Sequence, residues 1–266
     1  MSRLHETFAA AKAEGRAALI GYLPAGFPTP ADSIALMSAM VENGVDIIEV
    51  GLPYSDPLMD GPMIQRAAQT ALEAGTTTDV VLDVVAGVAD TGAPTLVMSY
   101  WNPIEQYGVQ RFAQQLSKQG GCGVITPDLT VEEAGPWEQE TDAAGIDRVF
   151  LAAPVSPDER LDVVCAACSG FVYAASVMGV TGTRTSVSSA AEGLVARLRP
   201  RTNLPIAVGL GVSTAEQAAH VASYADGVIV GSAFVRQVLE ADSPANAARG
   251  VADLAAQLAA GVRGRA

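Results

Sequence analysis

Residues 17–51, AALIGYLPAGFPTPADSIALMSAMVENGVDIIEVG, decide the fold. Ala17 to Leu23 and Asp46 to Gly51 are short apolar runs, and Thr29 to Asn43 between them carries apolar residues at three- and four-residue intervals. An apolar run of this length reads as a strand buried on both faces, and an amphipathic stretch joining two of them reads as a crossover helix. The unit recurs along the chain. Further apolar runs lie at Pro94 to Ser99, Gly123 to Thr126, Arg148 to Ala152, Gly170 to Ala174, Leu204 to Gly209 and Gly227 to Gly231. Helix-like stretches lie among them at Ile104 to Gln119, Thr130 to Ala144, Pro157 to Ala167, Ser188 to Leu198 and Thr214 to Ser223. Ser213-Thr214-Ala215-Glu216 and Thr130-Val131-Glu132-Glu133 set hydroxyls ahead of acids, as helix N-termini prefer. Right-handed crossovers around eight parallel strands close the sheet and hide both edges, which predicts an α/β protein with a (β/α)8 TIM barrel and extra helices. A doubly wound open sheet is the alternative, but Gly21 to Gly26 after the first run has only scattered glycines and no G-x-G-x-x-G.

The stretch from Gly51 to Ala93 is longer than one crossover requires and reads as an active-site loop with two helices; Pro244 to Ala260 reads as a closing helix. Length alone, 266 residues, would allow two domains. No composition shift, linker or repeat marks a boundary, so 1–266 is expected to be a single barrel domain. With 49% hydrophobic and 17% charged residues the chain is too apolar for disorder. Its 16 basic and 29 acidic residues leave a net charge of -13, a field that opposes nucleic acid. Met1 to Gly15 lacks the apolar core of a secretory signal, and no apolar run approaches the ~18 residues of a membrane span. A cytoplasmic protein is expected. Cys122, Cys165 and Cys168 are an odd number, and the Cys165/Cys168 spacing has no second pair or nearby histidine to complete a zinc site, so both read as buried structural residues.

Barrel chemistry comes from the C-terminal ends of the strands and the loops after them. Val45-Asp46-Ile47-Ile48-Glu49-Val50-Gly51 puts a carboxylate there in an otherwise apolar strand. Strand alternation places Glu49 with Ile47 on the barrel interior if Ile48 and Val50 face the helices. An acid among aliphatic groups has a raised pKa and trades protons near neutral pH; the bland alternative, pairing with a barrel arginine, has no inward candidate. Next comes Leu52-Pro53-Tyr54-Ser55-Asp56-Pro57-Leu58-Met59-Asp60-Gly61-Pro62, a loop shaped by three prolines and Gly61. Asp60 is close enough in sequence to face the same cavity as Glu49. Asp56 reads as a turn cap or partner contact. Glycines at Gly209-Leu210-Gly211, Gly231-Ser232-Ala233 and Gly179-Val180-Thr181-Gly182 follow late strands, where backbone N–H groups and a helix N-terminus hold phosphate without lysine. Tyr22, Tyr100 and Tyr173 sit at strand ends, equally suited to rim packing and to an aromatic substrate. His5 and His220 do not.

Only two lysines occur, Lys12 and Lys118, and neither is at a strand end, which excludes a Schiff-base aldolase. Two remote histidines cannot build a metal-dependent aldolase site, so no metal is expected. What remains is acid–base chemistry by carboxylates on a phosphorylated substrate that holds its own electrons.

The run from Glu49 to Pro62 resembles the signature of the tryptophan synthase alpha chain family, with similarity continuing through Tyr100-Trp101-Asn102-Pro103, Pro127-Asp128-Leu129, Gly179 to Gly182 and Gly231-Ser232-Ala233. The resemblance implies a lyase with no cofactor of its own that splits indole-3-glycerol phosphate into indole and glyceraldehyde 3-phosphate. It also implies a partner, a beta chain carrying pyridoxal phosphate, in an alpha2-beta2 assembly. Position by position it implies that Glu49 shuttles protons, Asp60 accepts the indole N–H, Tyr173 stands near the reacting hydroxyl and Thr181 helps place Asp60. Gly182, Gly211, Gly231 and Ser232 match its phosphate positions; Tyr22, Tyr100 and Leu210 match its indole pocket, with Leu210 where some members have phenylalanine. Pro53 to Asp60 resembles the family's beta-chain contact and Gly179 to Ser189 its closing lid. Two other readings stand beside this one: a lyase that works alone, and a non-catalytic activator of a partner.

Overall fold

The computed structural model describes residues 2–175, 189–209 and 211–264. In chain order the elements are α1 (Arg3–Ala13), β1 (Ala18–Pro24), α2 (Pro30–Glu42), β2 (Ile47–Gly51), α3 (Pro62–Glu73), α4 (Thr78–Ala89), β3 (Thr95–Met98), α5 (Trp101–Tyr107), α6 (Val109–Lys118) and β4 (Gly123–Ile125). There follow α7 (Gly135–Ala144), β5 (Asp147–Val149), β6 (Leu151–Ala152), α8 (Asp158–Ala167), β7 (Val172–Ala175), α9 (Ser189–Leu198), β8 (Ile206–Gly209), α10 (Ala215–Ala222), β9 (Gly227–Val230), α11 (Ser232–Leu239) and α12 (Pro244–Arg263).

All strand pairs are parallel, in the order β5-β4-β3-β2-β1-β9-β8-β7-β6. The two ends of that sheet are β5 and β6, which one residue, Phe150, joins. The Val149 carbonyl accepts from Thr126 N–H at 3.3 Å on one side, and the Phe150 carbonyl accepts from Tyr173 N–H at 3.3 Å on the other. The sheet therefore closes on itself, as the TIM barrel expected from the alternation of runs and helices.

Alternation along each strand sorts the core into two shells. Ile20, Ile47, Leu96, Ile125, Val149, Phe171, Ala207 and Ile229 fill the interior, while Leu19, Ile48, Val50, Val97, Val124, Val208 and Val228 pack outward under the helices. The barrel floor is closed by α1, whose Leu4 and Phe8 join the interior cluster. Phe8 packs on Phe171 with ring centroids 5.7 Å apart. The lower interior is lined mainly by apolar side chains, with Asp147 of β5 buried beside Gly170 and its Oδ1 accepting from the Ser169 hydroxyl at 3.0 Å.

Three sequence expectations need correction. The apolar run Arg148 to Ala152 is two strand pieces, because Phe150 N–H donates to Cys168 Sγ at 3.3 Å instead of to a neighbouring strand. Ile104 to Gln119 is two helices: Gly108 takes φ +98°, which only glycine adopts without strain, and the chain turns there. Thr130 does not cap a helix through its side chain; a 3₁₀ turn covers Val131–Glu133 and α7 starts after it with Pro136 in its first turn. Thr214 does cap, accepting from Gln217 N–H. The two helices expected between Gly51 and Ala93 are α3 and α4, and α12 extends the closing helix to Arg263.

Phe8→Ala should cost about 3–5 kcal/mol, as large-to-small substitutions of buried aromatics do. Urea denaturation measures it; an unchanged midpoint would mean that α1 does not close the floor.

Candidate active site

Glu49 lies on β2 between Tyr22 of β1 and Leu96 of β3 in register. Its side chain shares the interior face with Ile47, while Ile48 and Val50 belong to the outer shell, so the alternation argument holds. It is 1% exposed. Its Oε1 has no hydrogen-bond partner among the described residues, and burial alone pushes its pKa up to about 8. Among the described residues no barrel arginine reaches it: Arg148 faces α7, bonding Thr141 Oγ1 at 3.0 Å and pairing with Asp142, and Arg16 pairs with Asp46 and Glu14.

Asp60 ends the shaped loop. Its Oδ1 accepts from the Tyr100 hydroxyl at 3.1 Å, and the same hydroxyl accepts from Met59 N–H at 2.9 Å. Burial raises the Asp60 pKa and the Tyr100 bond opposes that shift. Asp60 does not cap α3; Gly61 holds that position and Pro62 starts the helix. Asp56 is exposed and accepts from the Ser55 hydroxyl at 2.5 Å, a local turn contact.

Tyr22 brings these groups together. Its hydroxyl is pushed well up, first by burial and then by the charges of Asp60, Tyr100, Glu49 and Tyr173, so all four lie within electrostatic reach of it. Burial and the Glu49 carboxyl likewise push Tyr173 up. Two strand-end glycines make room. A Cβ on Gly51 would meet the Tyr22 hydroxyl at 2.4 Å, and one on Gly209 would meet the Tyr173 hydroxyl at 2.1 Å. Gly209 therefore has a packing reason to be glycine, beyond the backbone approach to an anion read from the sequence. Gly211 takes φ +68°, which favours glycine. Gly231 packs on Tyr22, where a Cβ would lie 3.2 Å from Cδ1, and it is the N-cap of α11, whose first residue is Ser232. The Gly231 carbonyl accepts from Phe234 and Val235 N–H at 2.9 and 3.2 Å, which leaves the preceding first-turn N–H groups without intrahelical acceptors. Thr181, Gly182, Leu210 and the Gly179 to Ser188 part of the expected lid lie outside the described residues. His5 is on α1 and His220 on the exposed face of α10, away from the mouth. Cys122, Cys165 and Cys168 are buried thiols without disulfides. Among the described residues no group of three or more His, Cys, Asp or Glu could hold a metal, and no helix is long and apolar enough to cross a membrane.

The profile of the tryptophan synthase alpha chain family matches residues 8–263. The chain belongs to the tryptophan synthase alpha chain family. A tryptophan synthase alpha chain of Thermobifida fusca is 62% identical over 269 residues, covering 100% of both chains, and one of Acidothermus cellulolyticus is 57% identical, covering 99% of this chain and 98% of its own. Among solved structures, a tryptophan synthase of Mycobacterium tuberculosis superposes with a TM-score of 0.93 at 49% identity, covering 98% of each chain. The activity is that of the lyase subunit of tryptophan synthase: retro-aldol cleavage of indole-3-glycerol phosphate to indole and glyceraldehyde 3-phosphate, in tryptophan biosynthesis.

Sequence reasoning did not find the side chains that hold the tyrosines of this alpha chain. The Tyr54 and Tyr100 rings pack 5.4 Å apart, Asn102 Nδ2 donates to the Tyr54 hydroxyl at 3.2 Å, and Asp128 Oδ1 accepts from Trp101 N–H at 2.9 Å. Asn102 and Asp128 stand in motifs that carry the family resemblance, with no role assigned to either from the sequence.

The raised Glu49 pKa has a signed consequence. Below about pH 4.5 the acid is protonated folded and unfolded, and contributes nothing to pH dependence. From there to about 8 the unfolded chain has lost a proton the fold retains, so wild-type stability falls with pH relative to Glu49→Gln, then levels off. Urea denaturation of both proteins across this range should show that widening gap; a pH-independent difference would contradict it.

Proposed function

We propose that Glu49 and Asp60 carry the cleavage between them. The observation that supports this most is Glu49 itself, an acid with an unpartnered oxygen inside an aliphatic barrel and a pKa of about 8, poised to give and take a proton near neutrality. Glu49 in its neutral form protonates C3 of the indole, generating an indolenine cation. Asp60 accepts the indole N–H and stabilises the positive charge at nitrogen. The C–C bond to the glycerol chain then breaks, its electrons restore the indole, and the Glu49 carboxylate takes the hydroxyl proton as the aldehyde forms. Protons balance on Glu49, so no electron-accepting cofactor in this chain is part of the proposal; pyridoxal phosphate belongs to the partner.

Tyr173 orients the reacting hydroxyl, in keeping with its place beside the Glu49 carboxyl. Tyr22, Tyr100 and Leu210 line the indole pocket. Gly211, Gly231 and Ser232, with Gly182, take the phosphate through backbone N–H groups and the α11 dipole, a means that suits a chain with net charge -13 and lysines only at Lys12 and Lys118. Thr181 helps place Asp60, and the segment from Gly179 to Ser189 closes over the bound substrate. The beta chain docks on Pro53 to Asp60 in an alpha2-beta2 assembly, a reading favoured by the exposure of Leu58, 75%, on that loop.

Glu49→Gln and Asp60→Asn should each lower kcat at least ~100-fold in an assay of indole release with beta chain present. Near-normal turnover by either variant would falsify its role.

A further inference from the structure

Asp60 sits on a loop, and a loop carboxylate meets a substrate nitrogen only if something fixes the end of that loop. The Tyr100 hydroxyl does so, accepting from Met59 N–H and donating to Asp60 Oδ1. Tyr100 is in turn the N-cap of α5, a helix of seven residues. Ser, Thr, Asn or Asp at such a position would serve the first-turn N–H groups with its own side chain. Tyr100 cannot, because its hydroxyl is engaged across the mouth. Asp128, past the end of β4, supplies the acceptor instead: its Oδ1 takes Trp101 N–H at 2.9 Å. The carbonyl of the same peptide unit, that of Tyr100, accepts from the Ser99 hydroxyl at 2.7 Å, and Ser99 is 2% exposed. Both polar ends of the Tyr100–Trp101 peptide are therefore held by side chains, and the Tyr54 ring packs against the Tyr100 ring.

We infer that Asp128 is a positioning residue: by fixing the peptide unit that follows Tyr100 it sets, through the Tyr100 hydroxyl, where Asp60 stands. Ser99 assists from the other end of the same peptide. The chain of contacts runs from Asp128 Oδ1 to Trp101 N–H, along the Tyr100 backbone to its hydroxyl, and on to Asp60 Oδ1. Loss of Asp128 would free the α5 entry and let the Tyr100 ring swing; misplacements of about 1 Å cost up to ~100-fold in turnover. The inference rests on the reading of Asp60 as the group that meets the indole nitrogen, a role exerted more strongly as positive charge develops than on the bound substrate. The loss should therefore fall on kcat and spare KM.

The test measures kcat and KM for indole release, with saturating beta chain, in Asp128→Ala, Asp128→Asn and Tyr100→Phe, each alone and combined with Asp60→Asn, using single-turnover assays for the slow variants. Asp128→Ala and Tyr100→Phe should lower kcat ~10- to 100-fold with KM little changed. Asp128→Asn keeps an Oδ1 acceptor and should recover most of the rate. In the Asp60→Asn background neither Asp128→Ala nor Tyr100→Phe should lower the rate further. Full additivity with Asp60→Asn, a loss confined to KM, or no recovery in Asp128→Asn would overturn the inference. Near-normal Asp60→Asn alone would overturn the reading of the site instead. Tyr100→Phe breaks the same route while keeping the ring, so the test stands if Asp128→Ala fails to fold.

Discussion

A carboxyl group surrounded by hydrocarbon holds its proton, because the charge it would otherwise carry has neither water nor donor to meet it. Glu49 is in that condition, and much of the architecture maintains it. Parallel strands give β2 a face of Ile47 and Glu49 turned inward, α1 seals the floor with Leu4 and Phe8, and Leu96 stands on the register neighbour. Among the described residues no cation stands in for water: Arg148 and Arg16, at 9% and 8% exposure, are engaged on the outside with α7 and with Asp46. Burial among apolar neighbours, with no cation beside it among the described residues, thereby keeps the Glu49 carboxyl protonated at neutral pH.

The mouth of the barrel follows a different rule. Asp60 is only partly withdrawn from solvent and is held by a hydroxyl, so it is the better of the two for meeting a positive charge. Two acids of similar intrinsic strength thus diverge by environment, one neutral and one hydrogen-bonded, a division of labour that general acid–base chemistry exploits. The tyrosines between them are large and polar only at their tips, and Gly51 and Gly209 give those tips their space. In the proposed site, anion binding in a chain of net charge -13 would fall to backbone N–H groups, which carry no charge for the acids to neutralise.

The barrel was legible because its signal is repetitive: an apolar run followed by an amphipathic stretch, often enough to close a sheet. Two of the three misjudged elements are ones where a single residue breaks the period, Phe150 in the fifth run and Gly108 between α5 and α6; the third, Thr130 to Ala144, opens with a 3₁₀ turn. Glu49 was legible because an acid in an apolar strand is a local anomaly. The Asp128–Trp101 and Tyr100–Asp60 contacts were not, since they join positions 27 and 40 residues apart, and a single sequence carries no periodicity that pairs them.

The most direct test of the central claim is a site-resolved titration of the Glu49 carboxyl by carbon NMR in the ligand-free alpha chain, assigned by its absence in Glu49→Gln. A neutral acid at pH 7 with a midpoint near 8 is expected. A midpoint near the ordinary value of 4.5 would contradict it.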